Sequence, residues 1–241
     1  MKKIIITGGS RGIGRGILQE LIRKNYYVIN LSKNRKEFVN NKMLTNYECD
    51  ISNFRQTTRV FNKIYKNHRD FYGLINNAGI NPSRNNIVET SFLDFDATLK
   101  TNVYGAFNCT REFLKKKQIK KSSGIVVNIS SIVSLISHEK RASYSISKSA
   151  LNGLTRSIVA DYSNHKIRSF SICPGYVETD LTRNFLNNLN NTEKKNLIKK
   201  HKIGRLGNTE DIANLVSFLL DEKKSSWMNG NIIPLDGGYL C

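Results

Sequence analysis

Ile4-Ile5-Ile6-Thr7-Gly8-Gly9-Ser10-Arg11-Gly12-Ile13-Gly14 decides the fold. Three apolar β-branched residues in a row, with no polar alternation, predict a strand buried on both faces. The glycines end that strand at once, and a helical pattern over Arg11–Lys24 follows. Strand, glycine turn and helix start in this order form a phosphate-binding unit. Gly8 permits the tight turn, Gly12 lets the backbone approach a pyrophosphate, and Gly14 lets helix and sheet pack closely. The helix amino terminus then faces the negative charge. The spacing is Gly-x-x-x-Gly-x-Gly rather than the commoner Gly-x-Gly-x-x-Gly, so the strand and helix around it carry the assignment.

Outward from this unit the same alternation repeats. Tyr27–Leu31, Tyr47–Cys49, Gly73–Asn76, Gly124–Ile129, Ile167–Ile172 and Ile232–Pro234 read as further strands. Asn53–His68, Asp94–Lys116, Ala142–His165 and Glu210–Asp221 carry helical patterns between them, and Arg35–Lys42 a weak one. The expected fold is α/β: a Rossmann-type, doubly wound, seven-stranded parallel sheet flanked by helices. Only 3 prolines and no low-complexity stretch divide the 241 residues, so residues 1–241 read as one domain. Ligands of such sheets bind at the carboxyl ends of the strands, at the topological switch point.

The formal net charge is +19. The lysine pairs Lys120–Lys121, Lys194–Lys195, Lys199–Lys200 and Lys223–Lys224 lie in separate segments, without the arginine-aromatic clustering of nucleic-acid binders. The charge reads as solvated surface, with neither nucleic acid nor membrane as partner. Cys49, Cys109, Cys173 and Cys241 form no CxxC pair, so no metal site and no disulfide framework is expected. The apolar run after Met1 stops at Gly8, too early for a secretion signal, and no stretch approaches the length of a membrane span. A cytoplasmic location follows as an expectation.

Two further sites narrow the chemistry. The second strand ends in Asn30-Leu31-Ser32-Lys33-Asn34-Arg35, without the acid that would hold a ribose 2′-hydroxyl. Lys33 or Arg35, with Arg11 from the glycine turn, can instead meet a 2′-phosphate, which favours NADP(H). Tyr144 and Lys148 stand four residues apart on a helical pattern and share a face. An ammonium near a phenol stabilises its anion and lowers its pKa toward the working range of an acid/base. Ser131, at the end of the Asn128-Ile129-Ser130-Ser131 strand, can hold a substrate oxygen beside the tyrosine.

With Asn76-Asn77-Ala78-Gly79, Asn102, Pro174-Gly175-Tyr176-Val177-Glu178-Thr179-Asp180, Gly204-Arg205-Leu206-Gly207 and Leu235-Asp236-Gly237-Gly238 in order, the chain resembles the short-chain dehydrogenase/reductase family from Ile4 to Gly238. Within that family it is most similar to bacterial 3-oxoacyl-[acyl-carrier-protein] reductases. The resemblance implies an NADP-dependent oxidoreductase (EC 1.1.1.-). Tyr144 would be the acid/base, Lys148 would hold the nicotinamide ribose and depress the phenol's pKa, and Ser131 would polarise the carbonyl, with Ser130 the less favoured neighbour. Asn102 would anchor a water that passes protons to the lysine. Gly8, Ser10, Arg11, Gly12, Ile13, Gly14 and Lys33 would line the phosphates. Asp50 and Ile51 would flank the adenine, Asn77, Ala78 and Gly79 the adenosine ribose, and Pro174, Gly175, Val177 and Thr179 the nicotinamide end. Family members commonly form tetramers through the helices containing Asn102 and Tyr144, so a homotetramer or a homodimer is expected.

The family's substrate lid falls at about residues 183–202. Here it is polar and basic, with Phe185, Leu186, Leu189 and Leu197 as its apolar residues. A 3-oxoacyl thioester, small or carrier-linked, is one substrate reading. A polar carbonyl compound, such as a nucleotide-linked sugar in polysaccharide synthesis, is another. A non-catalytic dinucleotide sensor is a third, disfavoured by the intact Asn102, Ser131, Tyr144 and Lys148 set.

Overall fold

The computed structural model describes residues 1–35 and 40–241. Seven strands form one parallel sheet in the order β3-β2-β1-β4-β5-β6-β7. They are β1 (Lys3–Thr7), β2 (Tyr27–Ser32), β3 (Leu44–Glu48), β4 (Gly73–Asn76), β5 (Gly124–Ile129), β6 (Ile167–Pro174) and β7 (Ile232–Leu235). Eight helices are described: α1 (Gly12–Arg23), α2 (Phe54–His68), α3 (Phe92–Leu99), α4 (Gly105–Lys120), α5 (Ala142–Tyr162), α6 (Asp180–Asn187), α7 (Asn191–Lys200) and α8 (Thr209–Leu220). Half of the weak helical pattern expected over Arg35–Lys42 lies outside the described residues. β3 starts three residues ahead of the expected Tyr47, because Leu44 is buried and pairs with Val28 of β2.

The apolar run of β1 divides between two cores. Ile4 and Ile6 pack with Ile17, Leu18 and Leu21 of α1 and with Val216, Leu219 and Leu220 of α8. Ile5, pointing the other way, packs with Phe61 and Ile64 of α2 and Phe113 of α4. All three isoleucines have no exposed surface, as a doubly covered central strand requires. The reversal of strand order between β1 and β4 opens a crevice at the carboxyl ends of those strands.

The long helical pattern at Asp94–Lys116 is interrupted. A π-turn over Lys100–Tyr104 separates α3 from α4, with the Gly105 N–H reaching the Lys100 carbonyl. Such one-turn widenings cluster at functional sites, and this one carries Asn102. α6 borders one end of the crevice, and its Leu186 packs with Leu197 of α7 and Leu206 in a small apolar cluster. Among the described residues no helix is long and apolar enough to cross a membrane, and no group of metal-ligating side chains occurs.

The closest approach in the fold is at Gly14, where a Cβ would stand 2.1 Å from the Gly8 carbonyl oxygen and 2.4 Å from Asn77 Nδ2. Gly14→Ala must push α1 off the strand ends. We expect a destabilisation of about 1–3 kcal/mol, read as a lowered urea midpoint with an unchanged slope. Wild-type stability in this variant would contradict the packing described.

Candidate active site

The glycine turn is held from two sides by asparagine amides. Asn77 Nδ2 donates to the carbonyls of Thr7 and Gly8, both at 3.0 Å. Thr7 Oγ1 accepts the N–H groups of Asn77 and Ala78, also at 3.0 Å. From β2, buried Asn30 accepts the Gly9 N–H at 2.8 Å and donates to Ser10 Oγ at 3.2 Å. Gly8 and Gly12 have φ of +68° and +52°, a conformation that side chains disfavour. The result is a rigid turn at the amino terminus of α1, with no acidic residue in the helix's first turn.

This turn lines one end of a cleft of about 1400 Å³. Gly8, Ser10, Arg11, Gly12, Ile13, Gly14, Lys33, Asp50, Ile51, Asn77, Ala78 and Gly79 all border it. The rim holds acids that the β2 sequence alone does not show. Lys33 Nζ is 2.8 Å from Asp50 Oδ2, and Arg35 Nε is 2.9 Å from Glu48 Oε2. Asp50 loses part of its hydration, yet hydrogen bonds from Lys33 and Ser52 hold its carboxyl below the usual range. β3 thus supplies carboxylate partners to the cations that follow β2.

At the other end, Ser131, Tyr144, Lys148, Gly175 and Thr179 border the same cleft. Ser131 follows β5, and Tyr144 lies in the first turn of α5, near enough for the serine hydroxyl to act on the phenol. Ser130 is committed elsewhere, donating to the Lys148 carbonyl at 2.9 Å. Loss of hydration pushes the Tyr144 phenol up to about 12, opposed by the charge of Arg141 and the nearby Ser131 hydroxyl. Lys148 is 4% exposed, and its Nζ donates to the Ile129 carbonyl at 2.8 Å. Burial draws this ammonium down to about 8. The lysine stands 5.5 Å from the tyrosine ring centroid, and it does not bring the phenol toward neutrality as expected. Desolvation of the phenol outweighs every nearby positive charge.

Three expected residues do not face the cleft. Asn102 is buried behind its wall, where Nδ2 donates to the Ile80 carbonyl (2.9 Å) and Ser147 Oγ (3.0 Å), and Oδ1 accepts the Ile80 N–H (2.8 Å). Its side chain clamps the loop after β4 to α5. Val177 is 4% exposed and packs in the α1–α8 core, bridged to Gly207. Pro174, the last residue of β6, is buried and paired with Leu235. These two belong to the sheet's final turn rather than to the cleft wall.

Arg84 and Arg141 line the site without having been singled out in the sequence, beside Tyr176 of the motif and Phe185 of the lid segment. Arg141 lies three residues before Tyr144, a spacing that places both on one helix face. Arg84 and Phe185 come together only through the tertiary fold, and no local pattern announces Arg84. α5 itself is fixed on the sheet by buried polar ties. Asn76 donates to Asn128 (2.8 Å), Asn128 to Thr155 (2.9 Å), and Ser171 to Asn152 (2.6 Å).

The arrangement can donate a proton from a phenol to an oxygen held by a neighbouring hydroxyl, within a cleft that begins at a phosphate-binding turn. Comparison with known proteins bears on that chemistry. The family model described as Enoyl-(Acyl carrier protein) reductase matches residues 8–240. The 3-oxoacyl-[acyl-carrier-protein] reductase FabG of Aquifex aeolicus is 30% identical, covering 98% of this chain and 96% of its own. A solved structure of ElxO with NADP bound superposes with a TM-score of 0.91 at 29% identity, covering 99% of this chain and 98% of that one. A short chain dehydrogenase family protein from Francisella tularensis gives 0.88 at 30% identity, covering 100% and 99%. The chain is a member of the short-chain dehydrogenase/reductase family of oxidoreductases.

Proposed function

We propose that this protein is an NADP(H)-dependent reductase that converts a carbonyl to an alcohol, with Tyr144 as the proton donor. The observation that carries this reading is that Ser131, Tyr144 and Lys148 border the same cleft that starts at the glycine turn. A phenol held up at about 12 is protonated at neutral pH, the state an acid needs for reduction.

The cleft suits a phosphorylated dinucleotide. Its turn presents backbone rather than side chains, at a helix amino terminus. Gly8 to Gly14 would hold the pyrophosphate, Asp50 and Ile51 the adenine, Ala78 and Gly79 the adenosine ribose, and Thr179 the nicotinamide end. Lys33 has 79% of its side chain exposed, and exposed ion pairs contribute only about 0–1 kcal/mol. A 2′-phosphate can therefore take Lys33 from Asp50 at little cost, with Arg11 alongside. The relative solved with NADP bound supports the same cofactor.

When bound, the dinucleotide supplies the hydride. The chain's own residues do the rest. Ser131 Oγ–H holds the carbonyl oxygen, and Tyr144 Oη–H passes its proton to that oxygen as negative charge develops there. The phenolate left behind lies beside the charges of Arg141 and Lys148. Lys148 also replaces a surface charge by a fixed, buried one at the ribose end, and Asn102 keeps the adjoining loop in register with α5.

A 3-oxoacyl thioester is the substrate that the curated relative suggests. The polar and basic helices α6 and α7, which we assign as the lid, favour the second reading, a polar carbonyl compound. Exposed Tyr104, Phe107 and Ile146 on the π-turn, α4 and α5 support self-association through these elements.

Tyr144→Phe is expected to lower carbonyl-dependent NADPH oxidation by at least about a hundredfold while NADPH still binds. Near-normal turnover would refute the assigned acid. Lys33→Ala should weaken NADPH more than NADH in a fluorescence titration; equal losses would remove Lys33 from the 2′-phosphate. Lys148 makes a prediction for stability. Its pKa falls from 10.5 to about 8 on folding, so the unfolded chain binds more protons between those values, and stability gained from this group rises with pH across that window. Against Lys148→Met, the ligand-free wild type should therefore gain in Tm from pH 8 to 10, and a difference constant with pH would contradict the buried charge.

A further inference from the structure

The two ends of the cleft differ in how their charges are compensated. Of its lining carboxylates, Asp50 is paired with Lys33 and Asp180 with Arg183. Among its lining cations, Lys100 is paired with Asp96 and Lys148 donates to the Ile129 carbonyl. Arg84 and Arg141 stand apart. Among the described residues neither guanidinium has an ion pair or a hydrogen bond. Arg141 occupies the N-cap of α5 without capping it through its side chain. Arg84 is stacked on Phe185, its guanidinium carbon 3.5 Å from the ring centroid.

These two arginines are near enough to act on one another and on the catalytic end. Partial burial and then the charge of Arg141 lower the pKa of Arg84. The Arg141 charge also bears on Tyr144 and on His138, whose Nε2 is buried without a hydrogen-bond partner. Like charges brought together beside an aromatic ring cost free energy in the ligand-free protein, and an anion between them relieves that cost. The anions of the proposed cofactor are provided for at the opposite end, by the glycine turn and Lys33. The remaining anion is the substrate's own.

We infer that Arg84 and Arg141 form an anion subsite that selects a carbonyl compound bearing its own carboxylate or phosphate close to the reacting carbon. The inference rests on the reductase reading and narrows its substrate class to a small anionic ketone or aldehyde. Arg84, braced on Phe185 of α6, also links occupancy of this subsite to the helix that covers the cleft. A planar guanidinium fork suits either oxyanion.

Matched pairs of probes test the inference: acetoacetate against ethyl acetoacetate, and dihydroxyacetone phosphate against dihydroxyacetone. For the wild type, kcat/KM should favour the anion of at least one pair by about tenfold or more, and the pair that responds tells carboxylate from phosphate. Arg84→Gln and Arg141→Gln should each lower that anion-over-neutral ratio by about tenfold, and Arg84→Lys by less. Taking the ratio removes any loss common to both members of a pair. Calorimetric binding of the same anions to NADP⁺-loaded protein reads the subsite without turnover. Anion binding without NADPH oxidation on any probe would sink the reductase reading and leave the subsite standing. Reduction of the neutral members as efficiently as the anions, or ratios unchanged in the variants, would overturn the subsite alone. So would an Arg84→Gln defect confined to NADPH affinity.

Discussion

The hydrogen bonds from the Asn77 amide to the carbonyls of Thr7 and Gly8 are the constraint on which the site depends. They join the end of β4 to the end of β1 across the point where strand order reverses. The turn there has buried carbonyls that no ladder partner can satisfy, and an orphaned buried carbonyl is costly. Asn77 satisfies two of them with one side chain. It can do so only because Gly14 carries no Cβ, which would stand 2.4 Å from the amide nitrogen. Helix, turn and both strands therefore fix one another, and the cleft begins where they meet.

A second set of buried amides does the same for α5. Asn76, Asn128 and Thr155 tie β4 and β5 to α5, while Asn152 bonds Ser171 of β6. Asn102, released by the π-turn to face inward, holds the loop after β4 against Ser147 of α5. An apolar core would place this helix less specifically, since hydrophobic contacts tolerate small slides that directional hydrogen bonds do not. Tyr144 and Ser131 come from different elements, so they border one cleft only if α5 keeps its register on the sheet.

The sheet was legible because its strands are buried on both faces and carry continuous apolar runs. Ile4–Ile6 and Ile125–Ile129 could be nothing else in this alternation. β3 was placed late because Thr45 and Asn46 are only half-buried at the edge, where packing leaves a weaker imprint. The glycine turn and the Tyr144–Lys148 spacing were legible because each is a local pattern with a fixed geometric meaning. Pro174 and Val177 lie off the cleft surface because a motif gives chain position, whereas the pairings with Leu235 and Gly207 determine which way each residue faces. Asn30 appeared in the sequence chiefly as the absence of an acid; its role in holding Gly9 and Ser10 needed the three-dimensional approach of β2. Arg84 had no signal at all, because its partner Phe185 is a hundred residues away in sequence.

The distribution of charge follows from the same architecture. At the adenosine end, β3 lies beside β2 and brings Asp50 and Glu48 to the cations that follow β2, so the rim is balanced and exposed. Exchange of one oxyanion for another there is easy, since solvent screens every partner. At the catalytic end the wall is built from α5, the loop after β4, and α6, and none of them brings an acid to Arg84 or Arg141. Lys148 is buried there as well and Tyr144 half-buried, so this end carries excess positive charge in a region of reduced hydration. That field favours negative charge wherever it develops, on a carbonyl oxygen in reduction or on the phenolate left behind. It also favours a substrate that arrives already charged. One electrostatic feature thus bears on the proposed chemistry and on the choice of substrate together.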